Sequence, residues 1–461
     1  MEMKEWKEKL LYRQKNGWER LEEVEKPLLE SYCQGYRSFL DAGKTERACV
    51  SEAIRLAQGA GFRPFRRGME LKAGDKVYAD NRGKMILLAV IGKQGLEHGA
   101  QITAAHIDSP RLDLKPNPLY EEAELCYLKT HYYGGIRKYQ WVTIPLELRG
   151  VVSMKDGRTI PVTIGEGGEP KLVINDLLPH LGGEQNKKTL AEGIGGEQLN
   201  ILVGSRPMAG EESDRVKTEI MRLLFEKYGF VEEDFISAEL EAVPAGQAVE
   251  IGLDGSMIGS YGQDDRVCAY AALKALLDLN QVPEKTAVCV LADKEEIGSD
   301  GVTGMQTAAF DTFMEDLCAS QGVPVRACLE SSFCLSADVT AAYDPNFGEV
   351  FERRNCARLN YGIALCKYTG SRGKGGSSDA SAEVVGYVRR IFDQAGVVWQ
   401  MTELGKVDAG GGGTVAKYMA NRNIDTLDAG VPVLSMHAPF ETVAKLDCYM
   451  TYKAMGAVYL G

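Results

Sequence analysis

The sequence predicts an α/β fold, with a mixed sheet flanked by helices and interrupted by an inserted β-rich domain. In the first and last parts of the chain, short apolar runs alternate with amphipathic helical patterns, as in a sheet covered by helices. Between them the segments are β-leaning and punctuated by glycine. We therefore divide the 461 residues into an α/β domain formed by residues 1–112 and 250–461, and an inserted domain formed by residues 113–249.

The first α/β part is predicted to begin with helices and to continue with two strands. Residues 5–60 show helical spacing of apolar side chains. The runs KMILLAVIG (84–92) and AQITAAHID (100–108) are short, continuous and apolar, which is typical of buried strands. The second of these strands brings His106 and Asp108 to its end.

Alternation of helices and strands resumes after the inserted domain, in which TEIMRLLFEKYG is the one clear helical pattern. We expect helices at VCAYAALKALLDL and QTAAFDTFMEDLCAS, because their apolar residues recur at helical spacing. We expect strands at TAVCVLAD and at VRACLESSF (325–333). This order favours a sheet with helices on its faces.

Composition and charge argue against several classes of protein. The net charge is -12, and the chain has neither a run of Lys and Arg nor alternating basic and aromatic residues, so we expect no nucleic-acid partner. The first residues are charged throughout, and no stretch reaches the length of a membrane span, so we expect neither a signal peptide nor a membrane partner. Eleven cysteines without a CxxC pair indicate reduced thiols in a cytoplasmic protein.

Acidic and imidazole side chains follow predicted strands at five places. These are His106 with Asp108, Asp264 with Asp265, Glu295 with Glu296, Asp338, and His437. The carboxyl ends of strands in an open α/β sheet converge on one crevice, so these side chains are expected to lie together. Each motif alone has an ordinary alternative, such as a hydrogen-bonded core histidine, a solvated turn or an exposed acidic pair.

The apolar strand that precedes Glu295 and Glu296 favours a metal site. TAVCVLAD should bury its end, and two buried carboxylates without a partner would be costly or would become protonated. Two divalent ions remove this cost when each is held by one histidine, one terminal carboxylate and one shared carboxylate. A neighbouring carboxylate that binds no metal can move a proton from a water to a leaving amine. The acidic pair therefore supplies one ligand and one base.

Five ordered motifs resemble those of a known family. AAHIDSP, GQDDR, DKEEIGSDG, LSADVTAAYDPNF and VLSMHAPFE are similar to motifs of the aspartyl-aminopeptidase-like zinc metallopeptidases, most closely of their bacterial branch. The resemblance extends from about residue 10 to the end of the sequence. It implies a zinc-peptidase-like (phosphorylase/hydrolase-like) α/β fold, an inserted β-rich dimerisation domain, and a tetrahedral homododecamer built from dimers around an inner chamber.

The resemblance also implies a role for each site residue. Glu295 would be the general acid/base, and Asp108 would hold the ring of the ligand His106. Asp264 would bridge two zinc ions per subunit, with cobalt or manganese as alternative ions. The implied metal ligands are His106, Asp264, Glu296, Asp338 and His437.

Two loops are candidates for substrate contacts. DAGGGGTVAKYMA (408–420) lacks the Lys-Ser/Thr of a P-loop, so we expect the bare backbone at Gly412 and Gly413 to lie close to a substrate. The resemblance adds Lys367 and Tyr368. Relatives that prefer acidic N-terminal residues carry a histidine in a GGGLWHTWFDRD-like segment, whereas this chain has YGGIRKYQWVTIPL, with Tyr139 near that position.

The sequence thus predicts a dinuclear zinc aminopeptidase that acts on short peptides. One alternative is another metal-dependent amidohydrolase of the same fold, such as a deacylase or a carboxypeptidase. A second alternative is a non-catalytic, self-assembling protein with a structural metal site. Retention of Glu295 beside Glu296 argues against the second alternative, because a structural site has no use for a carboxylate that binds no metal.

Overall fold

The computed structural model of the chain describes residues 3–210 and 213–461. Its α-helices are α1 (Met3–Leu10), α2 (Lys26–Ala42), α3 (Glu46–Gly59), α4 (Arg215–Tyr228), α5 (Gln263–Leu277), α6 (Ala309–Ala319), α7 (Val325–Glu330), α8 (Ala382–Gln394), α9 (Ala416–Ala420) and α10 (Lys445–Leu460). Its strands are β1 (Arg63–Pro64), β2 (Lys76–Asn81), β3 (Met85–Val90), β4 (Ala100–His106), β5 (Arg111–Glu122), β6 (Leu125–Tyr133), β7 (Leu146–Ser153), β8 (Thr159–Ile164), β9 (Ile201–Gly204), β10 (Ala238–Pro244), β11 (Val249–Ile251), β12 (Met257–Ser260), β13 (Thr286–Ala292), β14 (Phe333–Ser336), β15 (Thr340–Ala341), β16 (Ile363–Cys366), β17 (Gly370–Ser371), β18 (Trp399–Met401), β19 (Gly411–Gly412), β20 (Asp425–Gly430), β21 (Pro432–Leu434) and β22 (Glu441–Ala444).

A nine-stranded mixed sheet forms the centre of the α/β part. Its strand order is β1-β2-β3-β13-β4-β14-β20-β16-β18. The four inner strands β13, β4, β14 and β20 run parallel to one another, whereas β3 and β16 pair antiparallel with their inner neighbours. All residues of β13 and β4 are buried, which explains why both sequences are mostly apolar and do not alternate with exposed polar residues.

Helices cover both faces of this sheet. One hydrophobic core joins the sheet to α2, α3, α5, α8 and α10, and it contains the alternate residues Ile86, Leu88 and Val90 of β3. A second core joins the opposite face, including Met85 and Leu87 of the same strand, to α6, α7 and α9. Side chains of a strand alternate between faces, so one apolar strand contributes to both cores. The α/β class with a helix-flanked mixed sheet is confirmed.

The carboxyl ends of the inner parallel strands meet at one edge of the sheet. β4 ends at His106, whose Cα partner on β13 is Ala292, three residues before Glu295. β14 ends at Ser336, two residues before Asp338. The strand ends therefore bring His106, Glu295 and Asp338 together, as expected for an open α/β sheet.

A second sheet is formed by strands that lie between Arg111 and Pro244. Its strand order is β8-β7-β10-β5-β6-β9, and neighbouring strands pair antiparallel. With α4 it encloses a separate hydrophobic core, which includes the fully buried side chains Trp141 and Phe230. The division at residues 113 and 249 stays a prediction, although the sheet begins at Arg111 and its last strand ends at Pro244.

The predicted strand at residues 325–333 is wrong. Residues Val325–Glu330 form helix α7, and the strand begins only at Phe333. Val325, Cys328 and Leu329 have helical spacing and pack on one face, and Pro324 precedes the first turn. The apolar content of the segment was a sound indication of burial, but a run this short does not distinguish a buried helix from a buried strand.

A five-stranded sheet, β11-β12-β22-β21-β15, lies beside the central sheet. Its strands have two to four residues each. β12 leads into α5, which carries Asp264, and the turn between β21 and β22 carries His437. No helix within residues 3–210 or 213–461 is both long enough and apolar enough to cross a membrane.

Candidate metal centre

The predicted metal ligands lie together in two groups that share one residue. In the first group, Nε2 of His106 is 3.2 Å from Oδ1 of Asp264 and 3.9 Å from Oδ1 of Asp338. In the second group, Nε2 of His437 is 3.1 Å from Oδ2 of Asp264 and 3.5 Å from Oε2 of Glu296. Each group thus combines one histidine, one carboxylate of its own and one oxygen of Asp264.

Asp108 contacts the ring nitrogen of His106 that does not face the other carboxylates of the first group. Nδ1 of His106 lies 3.2 Å from Oδ1 of Asp108 and 3.0 Å from its backbone oxygen, which leaves Nε2 facing the carboxylates. The backbone N–H groups of Glu295 and Glu296 donate to Oδ1 and Oδ2 of Asp108, at 3.1 and 3.2 Å. One fully buried carboxylate therefore orients the imidazole and the acidic pair together.

Glu295 lies at the edge of this cluster and is the more open member of the acidic pair. Its side chain is 17% exposed, against 4% for Glu296, and its Oε2 is 4.0 Å from Nε2 of His106. Burial and the negative charges of Asp108 and Asp264 raise the pKa of Glu295 to about 7. A carboxyl group that changes protonation near neutral pH, beside the ligands, is suited to proton transfer.

In the described part of the chain, the buried carboxylates of the site are paired with histidines but not with lysine or arginine. Among the described residues, no lysine or arginine forms an ion pair with Asp264, Glu295, Glu296 or Asp338. Burial and the charge of Asp264 raise the pKa of Glu296 well above its ordinary value, and burial with the charges of Glu295 and Asp265 does the same for Asp338. Burial would also raise the pKa of Asp264, but its contacts with His106 and His437 lower it.

This donor set fits zinc. Oδ1 of Asp264 and Oε1 of Glu296 are buried and have no hydrogen-bond partner among the residues that the structure describes, so each retains a lone pair for a cation. Imidazole nitrogens and carboxylate oxygens are ligands that zinc accepts, and a divalent ion would offset the repulsion between these carboxylates. The residues present therefore match a site for metal in both groups.

The second histidine is held by a backbone oxygen of the turn after β6 and by a buried glutamate. Nδ1 of His437 lies 2.8 Å from the backbone oxygen of Gly135, so the ring directs Nε2 towards Asp264. The backbone N–H of His437 donates to Glu441 at 2.7 Å. Burial alone would lower the pKa of His437, but the contacts with Asp264 and Glu296 raise it to about 10.

A cavity of about 520 Å³ opens over this cluster. Both Gly412 and Gly413 line it, together with Thr369. Gly412 pairs with Gly370 in a two-stranded sheet, which joins the two loops that were predicted to contact a substrate. Lys367 and Tyr368 do not line this cavity. The hydroxyl of Tyr368 donates to Glu403, and Nζ of Lys367 lies 4.0 Å from Asp379.

Three buried acidic residues near the site were not assigned a role from the sequence. Glu441 accepts backbone N–H groups of Gln263, Asp264 and His437. Asp265 accepts the backbone N–H of His106 at 3.3 Å, and Asp428 lines the cavity and accepts a hydrogen bond from Ser336 at 2.7 Å. The sequence does offer one indication for two of them, namely an acidic residue in or beside an apolar strand: Asp428 lies within β20, and Glu441 begins β22.

Comparisons with known proteins agree over nearly the whole chain. The family profile described as aminopeptidase I zinc metalloprotease (M18) matches residues 39–459. A probable M18 family aminopeptidase 1 from Clostridium acetobutylicum is 48% identical over 460 residues, covering 97% of this chain and 98% of its own. The crystal structure of an M18 family aminopeptidase from Thermotoga maritima is 43% identical and has a TM-score of 0.93, covering 97% of this chain and 99% of that one.

More distant structures share the fold. The S. cerevisiae mApe1 dodecamer is 21% identical and has a TM-score of 0.76, covering 94% of this chain and 96% of that chain. The family profile covers far more than half of the chain, and the relatives from C. acetobutylicum and T. maritima exceed 40% identity over almost their full lengths. This chain, with histidine and carboxylate groups suited to zinc at the carboxyl edge of its sheet, therefore belongs to the M18 family of zinc metalloprotease aminopeptidases.

Proposed function

We propose that the chain is a dinuclear zinc aminopeptidase that removes N-terminal residues from short peptides. The observation that carries this proposal is the position of Asp264, whose two oxygens face two different histidines at 3.2 and 3.1 Å. A carboxylate placed in this way is suited to bridge two ions. His106 and Asp338 would complete one ion's site, and His437 and Glu296 would complete the other.

Zinc bound here would polarise the scissile carbonyl and lower the pKa of a water molecule. Glu295 would accept a proton from the attacking water and deliver it to the amine of the leaving peptide. Its raised pKa supports both steps, because a base that titrates near neutrality can accept a proton and return it. Asp108 would keep the imidazole of His106 and the backbone of Glu295 in place throughout.

The cavity above the cluster supports binding of short peptides. Its volume of about 520 Å³ is suited to a few residues, and its wall includes the backbone of Gly412 and Gly413. Exposed amide groups of this wall would hydrogen-bond the peptide main chain. We place Lys367 and Tyr368 at the rim, on the loop that pairs with the glycine loop through Gly370.

We also propose that the inserted domain, residues 113–249, builds a homododecamer from dimers. The S. cerevisiae mApe1 dodecamer, which shares the fold, supports this assembly. The inserted domain exposes about half or more of four leucines, as expected of residues that become buried in an interface: Leu177, Leu178, Leu181 and Leu190.

We also propose a cytoplasmic location. It is supported by the cysteines, since all eleven are free thiols.

A panel of aminoacyl-p-nitroanilides, each with an N-acetylated control, tests the activity. The chain is first freed of metal with a chelator and is then assayed with zinc, cobalt or manganese. We expect hydrolysis only of substrates with a free amine, and only after metal is restored. Release of p-nitroaniline from the N-acetylated controls at comparable rates would contradict aminopeptidase activity and would favour an endopeptidase, whereas release of acetate alone would favour a deacylase.

A further inference from the structure

We propose that Tyr133, a residue of the inserted sheet, is a positioning residue for the metal centre and acts through Asp108. The proposal rests on the roles given above to His106, Glu295 and Glu296. It assigns to the inserted sheet a part in the chemistry, in addition to its part in assembly.

The contact is direct and buried. Tyr133 is the last residue of β6, it is 8% exposed, and its hydroxyl donates to Oδ2 of Asp108 at 2.8 Å. Asp108 lies on the other side of the junction, two residues beyond the end of β4. The hydroxyl is therefore a hydrogen bond donor from the inserted sheet to a carboxylate of the central sheet.

Asp108 connects the Tyr133 hydroxyl to three other residues of the site. Its Oδ2 also accepts the backbone N–H of Glu296, and its Oδ1 contacts the N–H of Glu295 and Nδ1 of His106. Rotation of the Asp108 carboxylate would thus move a ligand imidazole and the acidic pair at once. The Tyr133 hydroxyl opposes that rotation, because its hydrogen bond holds Oδ2 in place.

The tyrosine ring is itself fixed. The guanidinium of Arg111 lies 3.8 Å from the ring centroid, and Arg111 is buried. Arg111 pairs with Glu241 of β10 at 3.2 Å and with Glu46 of α3 at 3.5 Å. Through Arg111, this ion cluster links the ring of Tyr133 to β10 of the same sheet and to α3.

The two residues that follow also contact the site. The backbone oxygen of Gly135 accepts from Nδ1 of His437 at 2.8 Å, and a Cβ at Gly134 would lie 3.3 Å from Glu296. The end of β6 therefore reaches the site at two places: Tyr133 bonds Asp108, which contacts His106, and Gly135 bonds His437 directly. Tyr133 is the member whose contribution can be removed as a single hydroxyl.

The test compares three tyrosine-to-phenylalanine variants of the full chain. Tyr133→Phe removes the proposed contact. Tyr132→Phe removes an exposed hydroxyl of the adjacent residue. Tyr228→Phe removes a hydroxyl that bonds the backbone of Thr163 within the inserted domain, remote from the site. Zinc affinity is measured by competition with a chelator, kcat and KM with an aminoacyl-p-nitroanilide, and thermal unfolding without metal.

We expect Tyr133→Phe to weaken zinc binding by roughly 10–100-fold and to lower kcat at saturating zinc, with KM near the parent value. Tyr132→Phe should match the parent. Tyr228→Phe should lower only the unfolding temperature. Zinc affinity and kcat that are unchanged in Tyr133→Phe, or changed equally in Tyr228→Phe, would overturn the proposal.

A double-mutant cycle with Asp108→Ala then tests whether Tyr133 affects the metal centre through Asp108. If Tyr133 acts through Asp108, Tyr133→Phe has little further effect on zinc affinity in the Asp108→Ala background, whereas an undiminished effect overturns the proposal. If Asp108→Ala does not fold, the comparison of Tyr133→Phe with Tyr228→Phe decides whether Tyr133 positions the metal centre. A parent chain that binds zinc without cleaving peptides would refute the proposed function, and the zinc affinities would still decide the role of Tyr133.

Discussion

Glu441 fixes the backbone of His437: the N–H of His437 donates to Oε1 of Glu441 at 2.7 Å. The other oxygen of Glu441 accepts the N–H groups of Gln263 and Asp264, at 2.7 and 3.2 Å. His437 has a φ of 64°, which residues other than glycine seldom adopt. One buried carboxylate thus holds a strained histidine and the shared aspartate at a fixed separation.

The first prediction is that Glu441→Gln weakens metal binding. Glutamine offers one acceptor oxygen and an amide donor, so it cannot satisfy the N–H groups on both sides. We expect zinc affinity to fall by roughly 10–100-fold, measured by chelator competition. Glu284→Gln, which changes an exposed glutamate paired with Lys93, is the control. Parent-like zinc affinity in Glu441→Gln would show that the position of His437 does not depend on this carboxylate.

The second prediction concerns the shared ligand. Asp264→Asn leaves one oxygen where two ions are proposed to bind, so bound zinc should fall well below two per chain and activity should be lost. Elemental analysis after dialysis gives the stoichiometry. Asp311→Asn, at a half-buried ion pair with Arg422, should keep the parent's metal content and rate. Two tightly held ions in Asp264→Asn would rule out the bridging role.

The third prediction separates the two neighbouring glutamates. Glu295→Gln keeps the shape of the side chain but cannot accept a proton, so zinc and peptide binding should persist while kcat falls by roughly 10²–10⁴-fold. Glu296→Gln should instead lose zinc, because Oε2 of Glu296 faces Nε2 of His437 at 3.5 Å. Equal loss of zinc in both variants would refute this division of labour.

The central part of the fold could be predicted from the sequence because its strands are buried on both faces. β4 and β13 are mostly apolar and end at or next to polar site residues, so both the strands and the convergence of His106 and Glu296 followed from the pattern. The segment 325–333 was mistaken for a strand, since α7 occupies less than two turns. The five-stranded sheet has strands too short to leave a periodic signal.

The supporting contacts of the site could not be predicted in the same way. Tyr133, Gly135 and Glu441 contact residues that are distant along the chain, and their partners depend on how the two sheets meet. Nothing in the local sequence distinguishes Tyr133 from the exposed Tyr132 beside it. The ligand set was accessible because each ligand follows an apolar strand or lies in a family motif, whereas the residues that orient the ligands are determined by tertiary packing.

The fourth prediction is that zinc stabilises the fold more at pH 8 than at pH 5.5. In the metal-free fold Glu295 titrates at about 7, above its ordinary 4.5, so the fold loses stability as pH rises between these values. The pKa of His437 is raised from 6.5 to about 10, so its contribution to the stability of the metal-free fold is lost as pH rises between these two values. Zinc binds the deprotonated groups, so its effect grows as their protons leave.

Thermal unfolding with and without saturating zinc, measured between pH 5.5 and 8, checks this prediction. The difference between the two unfolding temperatures should increase with pH in the parent chain. It should be small at every pH in Asp264→Asn, which serves as the control for zinc bound elsewhere. A difference that shrinks as pH rises would mean that the buried carboxylates and histidines do not compete with protons for the metal.

The fifth prediction concerns assembly and access. The inserted sheet and the turn after β6 contribute contacts to the site through Tyr133 and Gly135, but none of the five proposed ligands. The segment between β8 and β9 exposes Leu181 at 68% and Leu190 at 59%. Apolar side chains exposed together in this way favour burial against another subunit, and interfaces between identical chains usually close with symmetry. We therefore expect a particle of many subunits, twelve by the family resemblance, that cleaves peptides of a few residues and leaves folded proteins intact.

Light scattering coupled to size-exclusion chromatography measures this directly. Leu181→Asp places a charge in the proposed interface, so it should yield smaller particles, whereas Lys188→Asp, at an exposed position of the same loop, should preserve the parent's size. If closure limits access, the smaller particles should also cleave unfolded chains that the parent excludes. An active parent monomer at micromolar concentration would refute the closed chamber, but it would leave the proton transfer by Glu295 unaffected, because both groups of predicted ligands are complete within one chain.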